Sequence, residues 1–147
     1  MVDRTIKVIN SAETTLLDLF IANAGSSLQT FRYFQSRPYT VLNNHITTCL
    51  LMEGNEPVGY GHLDKDQGQD TVWLGIAVSE KHKGKGLGKR IMNYLIASAK
   101  TNQIAKLKLT VDDTNIAAIH LYQKFGFKAA GNVKDSCLLM ELEVSHA

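Results

Sequence analysis

Six consecutive residues, Lys83-Gly84-Lys85-Gly86-Leu87-Gly88, stand between a strand-like run ending at Val78 and an amphipathic segment over residues 87–101. The glycines carry no Cβ, so main-chain N–H groups there can approach a ligand closely. The first N–H groups of a helix lack intrahelical partners, and the macrodipole adds partial positive charge, so such a helix start favours an anion. Lys83, Lys85, Lys89 and Arg90 add full charges. Together these features describe a cradle for a diphosphate. The spacing argues against two familiar cradles. A P-loop needs four residues between its glycines and then Lys and a hydroxyl residue. Here Gly84 and Gly88 are one residue too close, and Arg90 stands where the magnesium-binding hydroxyl belongs. A dinucleotide-binding turn reads G-x-G-x-x-G with an acidic residue some 20 positions on; this loop reads G-x-G-x-G, and position 108 is Lys. Taken alone, the loop is also readable as a glycine-rich turn with a solvated basic face.

The elements around the loop follow from apolar periodicity. Residues 4–10 alternate as a strand. Ser11 is placed to cap a helix through about Ala24, with Ala12, Leu16, Leu19 and Phe20 on one face and Gly25 at its end. Aromatics at 31, 33 and 34 predict a second short helix over 28–36, stopped by Pro38. Residues 46–52 and 57–64 read as a hairpin turned by Glu53-Gly54-Asn55-Glu56. Residues 71–78 form the next strand, and the loop helix follows with Leu87, Ile91, Leu95, Ile96 and Ala99 as its buried stripe. Residues 106–111 alternate. Asn115 can cap a helix with Ala118, Leu121, Tyr122 and Phe125 inward, ended by Gly126. Strands over 128–133 and 137–144 close the chain. The order βααβββαβαββ predicts one α+β domain over residues 1–147, a mixed sheet of about seven strands with about four helices.

Composition narrows the function classes. A chain of 147 residues suits one domain, and 44% hydrophobic content builds a core. It has no run of 18 apolar residues and no signal pattern, so the expectation is a soluble cytoplasmic protein that does not bind a membrane. Net charge is only +2, and the basic residues cluster near 81–90, which points to a small polyanion and away from nucleic acid. Cys49 and Cys137 fall in apolar strand patterns and read as reduced, buried thiols. No cluster has metal-ligand spacing, so no metal is expected.

With its flanks, the loop resembles the signature of the GCN5-related N-acetyltransferases: a strand ending in Val, a short turn, then Arg or Gln-x-x-G-x-Gly or Ala opening a helix. Residues 78–88 match it, with Lys83 in place of the usual Arg or Gln; that change keeps the charge and loses a planar fork of donors. The family's second segment, N-x-x-A-x-x-L-Y-x-K-x-G-F, matches Asn115 through Phe127 at each defined position. The two segments cover about a third of the chain, and the element order extends the resemblance over nearly all of it. The resemblance implies a GNAT-like acyl-CoA N-acyltransferase fold, mostly antiparallel, with the fourth and fifth strands splayed apart. It implies acetyl-CoA as cofactor, its diphosphate on the amides of Gly84, Lys85, Gly86, Leu87, Gly88 and Lys89 beside Lys83, and its pantetheine paired with Ile76, Ala77 and Val78. Asn115 either reaches the cofactor or simply caps its helix.

The implied reaction is direct attack of a primary amine on the thioester through a tetrahedral intermediate. By resemblance, the Val78 N–H is the oxyanion donor and Tyr122 the proton donor to sulfur. Many members carry Glu near the position of Trp73. The base candidates here are instead His62, and Asp64 two residues on and therefore on the same face, although water-mediated deprotonation needs neither. The acceptor site implied by the fold lies around residues 30–37, where Phe31, Tyr33 and Phe34 can stack on a ring and Arg32 and Arg37 can bind a carboxylate or phosphate. The same segment also reads as a solvated helix with an aromatic stripe. The acceptor expected is a small-molecule amine, with an amino sugar or sugar nucleotide favoured. The alternatives are a protein N-terminus or lysine and a non-catalytic acyl-CoA sensor. The enzyme is expected as a monomer or homodimer.

Overall fold

The computed structural model describes residues 3–65, 71–132 and 136–144. Seven strands form one sheet: β1 (Arg4–Val8), β2 (His45–Glu53), β3 (Glu56–Lys65), β4 (Thr71–Val78), β5 (Lys106–Asp112), β6 (Lys128–Asn132) and β7 (Cys137–Glu143). Their order is β1-β2-β3-β4-β5-β7-β6. Every adjacent pair is antiparallel except β4–β5. The expected residue 133 of β6 lies outside the described residues.

β2 and β3 are buried on both faces because each face has its own core. Cys49 and Leu51 face the cluster formed with α2 (Leu87–Thr101) and α3 (Ile116–Lys124), while Leu50 and Met52 face Leu17 and Phe20 of α1 (Thr15–Asn23). The inward stripe of α2 is Leu87, Ile91, Met92, Leu95 and Ala99; Met92 takes the place expected for Ile96. Gly59 and Gly61 let α2 lie close on β3, since a Cβ on either would come within 2.6 Å of Ile91. Each such buried Leu or Ile contributes roughly 1.5–3 kcal/mol.

Three local expectations change. Asn10 Oδ1 accepts from the Ala12 N–H at 2.8 Å, and Ser11 Oγ bonds Asn43 Oδ1 at 2.7 Å, so residues 10–13 form a turn and Ser11 is no cap. α1 therefore starts at Thr15, and its buried face is Leu17, Phe20 and Ala24, with Leu19 exposed. Residues 28–36 form no α-helix. The chain makes 3₁₀ turns at Gly25–Gln29, Tyr33–Gln35 and Tyr39–Asn44, which set Phe31 and Phe34 against Tyr60 with centroids 5.2 and 5.6 Å away.

The sheet opens at one place. β4 and β5 pair only through Thr71↔Lys106, Val72↔Leu107 and Trp73↔Lys108. Beyond Trp73, β4 stays registered with β3 as far as Val78↔Gly59, and β5 with β7 as far as Asp112↔Cys137. Each strand is thus held by its outer neighbour while the inner edges diverge, exposing unpaired backbone in the middle of a sheet.

Candidate active site

The wedge between the diverging strands is a cavity of about 370 Å³. Ile76, Ala77 and Val78 form one wall, and Asn115, Ala118 and Tyr122 of the α3 region form another. The glycine loop closes one end with Lys83, Gly84, Gly86, Leu87 and Gly88. Lys85 and Lys89, expected at this site, are not part of its wall, because the loop turns their side chains outward and both are exposed.

The three loop glycines answer three different requirements. Gly84 and Gly86 sit at φ +81° and +77°, left-handed conformations that L side chains strain to adopt. Gly86 is the N-cap of α2 and contributes no side-chain cap, so the first amides of the helix stay open to an anion. Gly88 instead packs under α3, where a Cβ would sit 3.2 Å from Leu121 Cδ2. His82 lines the cavity and is otherwise buried: Nδ1 bonds Ser79 Oγ at 2.7 Å and Nε2 lies 3.6 Å from Glu53 Oε1. It pins the start of the loop to the β2–β3 turn.

Backbone direction along β4 follows from one bond. The Ser79 N–H donates to Val58 O at 2.9 Å, so alternation turns the N–H and C=O of Val78 and Ile76 toward the open wedge. Buried Ser27 Oγ donates to Val78 O at 2.5 Å. The Val78 carbonyl is thereby engaged, and its N–H is left as the donor facing the cavity. Asn115 Oδ1 accepts from the Ala118 N–H at 3.3 Å, so the capping role holds, and its Nδ2 remains free to donate. Tyr122 is buried to 8% exposure and lines the cavity, yet its hydroxyl bonds no other group among the described residues. Burial raises its pKa, so it is a protonated donor across the physiological range.

A second cavity, about 450 Å³, opens on the other side of β4. It shares Phe31, Arg32, Leu74 and Gly75 with the first, so the two adjoin. Its own wall includes Tyr33, Arg37, His62, Asp64 and Trp73. His62 and Asp64 come together as expected from their two-residue spacing. Asp64 Oδ2 accepts from Tyr33 Oη at 2.8 Å; the same hydroxyl lies 2.8 Å from His45 Nε2, and His45 Nδ1 lies 2.8 Å from Thr48 Oγ1. Sequence reasoning missed Tyr33 and His45 as members of this network. Gly75 faces His62 directly, and any Cβ there would overlap the imidazole.

The structure argues against His62 as the proton acceptor. Tyr60 Oη lies 2.6 Å from His62 Nδ1 and has no other partner among the described residues. Leaving a buried phenol proton unpaired costs about 1–3 kcal/mol, so Tyr60 donates and the imidazole proton rests on Nε2. Burial, then the charges of His45 and Arg37, hold the His62 pKa well below its usual value. Burial lowers that of His45 too, against the opposing pull of Asp64.

Both histidines fold neutral and regain ordinary basicity near ~6.5 when unfolded. Below that pH the unfolded chain binds more protons, so folding stability is full above pH ~6.5 and falls as pH drops, by up to ~1.4 kcal/mol per pH unit for each histidine. Thermal melts between pH 7.5 and 5.5 should show this slope, and His62→Gln should flatten it. An unchanged slope in the variant would mean that His62 takes up its proton as readily folded as unfolded.

Arg32 does not face the acceptor freely. Its guanidinium spans to Asp112 at the end of β5, Nη2–Oδ1 3.0 Å and Nη1–Oδ2 3.4 Å, and this bond lowers the Asp112 pKa. It also donates through Nη1 to the Gln29 carbonyl. Cys137, expected to be buried, is half-buried beside this pair, with Sγ 3.6 Å from Asp112 Oδ1; Cys49 is buried, and both thiols are free. Among the described residues no cluster of His, Cys, Asp or Glu is arranged to hold a metal, and no helix is long and apolar enough to cross a membrane.

A family model described as the acetyltransferase (GNAT) family matches residues 14–127. The spermine/spermidine N(1)-acetyltransferase of Bacillus subtilis (strain 168) is 38% identical over 76 residues, which are 50% of this chain and 50% of that protein. The ribosomal protein bS18-alanine N-acetyltransferase of Escherichia coli (strain K12) is 34% identical over 61 residues, 42% of this chain and 41% of that one. The chain's match therefore spans about half or less of the length of these curated relatives. The crystal structure of a Bacillus subtilis acetyltransferase in complex with CoA aligns over 97% of this chain and 100% of that chain, with a TM-score of 0.74 at 20% identity, a likeness of fold.

Proposed function

The chain belongs to the acetyltransferase (GNAT) family, and on that premise we propose that it transfers the acetyl group of acetyl-CoA to a primary amine of a small molecule. Acetyl-CoA fits the residues present. The wedge offers unpaired strand backbone, the loop offers open helix-start amides, and Tyr122 offers a hydroxyl that bonds nothing among the described residues. When bound, the cofactor supplies an activated thioester. The amides from Gly84 to Lys89 hold its diphosphate, with Lys83 adding charge. The backbone of Ile76 and Val78 takes the pantetheine amides as an added strand would. The Val78 N–H donates to the carbonyl oxygen as negative charge grows there. Tyr122 donates to the departing sulfur.

The observation that carries this reading is the Tyr122 hydroxyl, which opens on the cofactor cavity from an otherwise buried ring and bonds no group among the described residues. A buried tyrosine ordinarily finds a partner for its O–H. Asp64 receives the amine end of the acceptor and orients it toward Gly75 and the wedge. Water carries off the amine's proton, since His62 is badly placed to take it.

A half-open cavity of about 450 Å³ has room for a small molecule, and its aromatic wall favours a ring, as in an amino sugar or sugar nucleotide. The bS18-alanine relative favours a second reading, a protein N-terminus as acceptor. Thiol release from acetyl-CoA with small amines beside peptides bearing a free N-terminal alanine or a lysine separates the two. Turnover at least tenfold faster on small amines is expected. Faster turnover on peptides would favour the second reading, and binding without turnover on any amine would favour a sensor.

A further inference from the structure

We infer that the acceptor cavity selects an amino compound that also bears an acidic group, a carboxylate or phosphate, with Arg37 holding the acid and Asp64 the amine. The inference rests on the acetyltransferase reading and deepens it.

The two arginines near the cavity are not equivalent. Arg32 is neutralised by Asp112. Arg37 makes no ion pair among the described residues. Its guanidinium lies 4.4 Å from the centre of the Tyr33 ring, and Nη1 donates to the Tyr33 carbonyl at 2.9 Å. The head group is thus held at the rim of the cavity by stacking and one bond, with its remaining N–H donors uncommitted. A planar, pre-oriented fork of this kind recognises carboxylate and phosphate.

The opposite pole is Asp64, fixed by the Tyr33 hydroxyl at 2.8 Å. Tyr33 therefore sets both groups: its carbonyl and ring hold Arg37, and its hydroxyl holds Asp64. Lys108 stacks 5.7 Å from the Trp73 ring centre and shares Glu141 with Lys106, at 4.0 and 3.6 Å, and it is not part of this cavity's wall. The cavity wall itself carries one carboxylate against an unneutralised guanidinium. A polyamine places several positive charges in a small volume and would meet Arg37 with like charge. A polyamine, the acceptor named for the spermine/spermidine relative, is on this ground not the acceptor expected here.

The test uses thiol release from acetyl-CoA with matched acceptors: an amino sugar and its 6-phosphate, an aromatic amino acid and its amide, and spermidine. Wild type should favour the acid-bearing member of a pair by about 10- to 100-fold in kcat/KM, chiefly through KM, the range of one charge-assisted contact. Arg37→Gln should bring that ratio close to one, and Arg37→Lys should restore part of it. Preference for the sugar phosphate would identify phosphate as the recognised group; preference for the amino acid would identify carboxylate. If spermidine or the uncharged members turn over as fast as the acidic ones, or if the preference survives in Arg37→Gln, the inference is overturned and the acetyltransferase reading stands. If acetyl-CoA binds and no acceptor releases thiol, both are overturned.

Discussion

Tyr122→Phe should slow acetyl transfer by about 10²–10⁴-fold, the usual contribution of a positioned acid, while acetyl-CoA affinity stays near that of the parent. The substitution removes one oxygen from a ring that is otherwise packed against Phe127, with centroids 6.0 Å apart. No protein hydrogen bond is lost, because the hydroxyl makes none among the described residues. Folding stability should therefore hardly change. The effect lies instead on the sulfur. Burial raises the Tyr122 pKa, which keeps the proton on oxygen but also makes full transfer to an ordinary thiolate uphill. Burial in the same cavity raises the basicity of a thiolate leaving within it, so the two affinities move together and a shared hydrogen bond strengthens as charge reaches sulfur. Single-turnover transfer is the appropriate measurement, since slow product release cannot mask it. A Phe variant as fast as the parent would make Tyr122 a packing residue.

The parts of this site that were legible in the sequence depend on short spacings. The glycines at 84 and 86, the Asn115 cap and the inward turn of Tyr122 are each decided within one or two helical turns, whereas Gly88 answers to Leu121 of α3. Apart from Gly88, residues 78–88 and 115–127 therefore describe their own geometry before any tertiary contact forms. The pairing of His62 with Asp64 was visible for the same reason, because strand alternation puts i and i+2 on one face.

What could not be read depends on partners distant in sequence. Arg32 was expected to serve the acceptor, and its engagement by Asp112, 80 residues away, becomes visible only once the 3₁₀ turns lie beside β5. Ser27 reaches the Val78 carbonyl across 51 residues, and Tyr33 meets Asp64 across 31. Residues 28–36 misled because aromatics at 31 and 34 have helical spacing. In the fold, Phe31 and Phe34 pack on Tyr60 while Tyr33 turns to His62, His45 and Asp64, a division that one helix face cannot make. The burial of His62 was hidden as well: alternation gives its face, but the contact of Tyr60 Oη with Nδ1 and the close approach of Gly75 enclose the ring.

The central claim is that the glycine loop and the wedge beside it bind acetyl-CoA, and Gly86→Val bears on it with the second large effect. At φ +77° an ideal Cβ would meet nothing within 4 Å, but a β-branched residue strains to adopt that conformation. The left-handed penalty of about 1–2 kcal/mol is small enough for the domain to remain folded, yet relaxing it moves the amides that open α2. Each lost hydrogen bond to a charged group is worth about 1.5–3 kcal/mol, so losing one or two should weaken the cofactor by on the order of 10²-fold. Titration calorimetry of acetyl-CoA against wild type and Gly86→Val, with a thermal melt to confirm that the variant is folded, measures this directly. The account predicts one site on the parent and binding about 10²-fold weaker on the folded variant. A parent that does not bind acetyl-CoA, or a variant that binds it equally well, would contradict it.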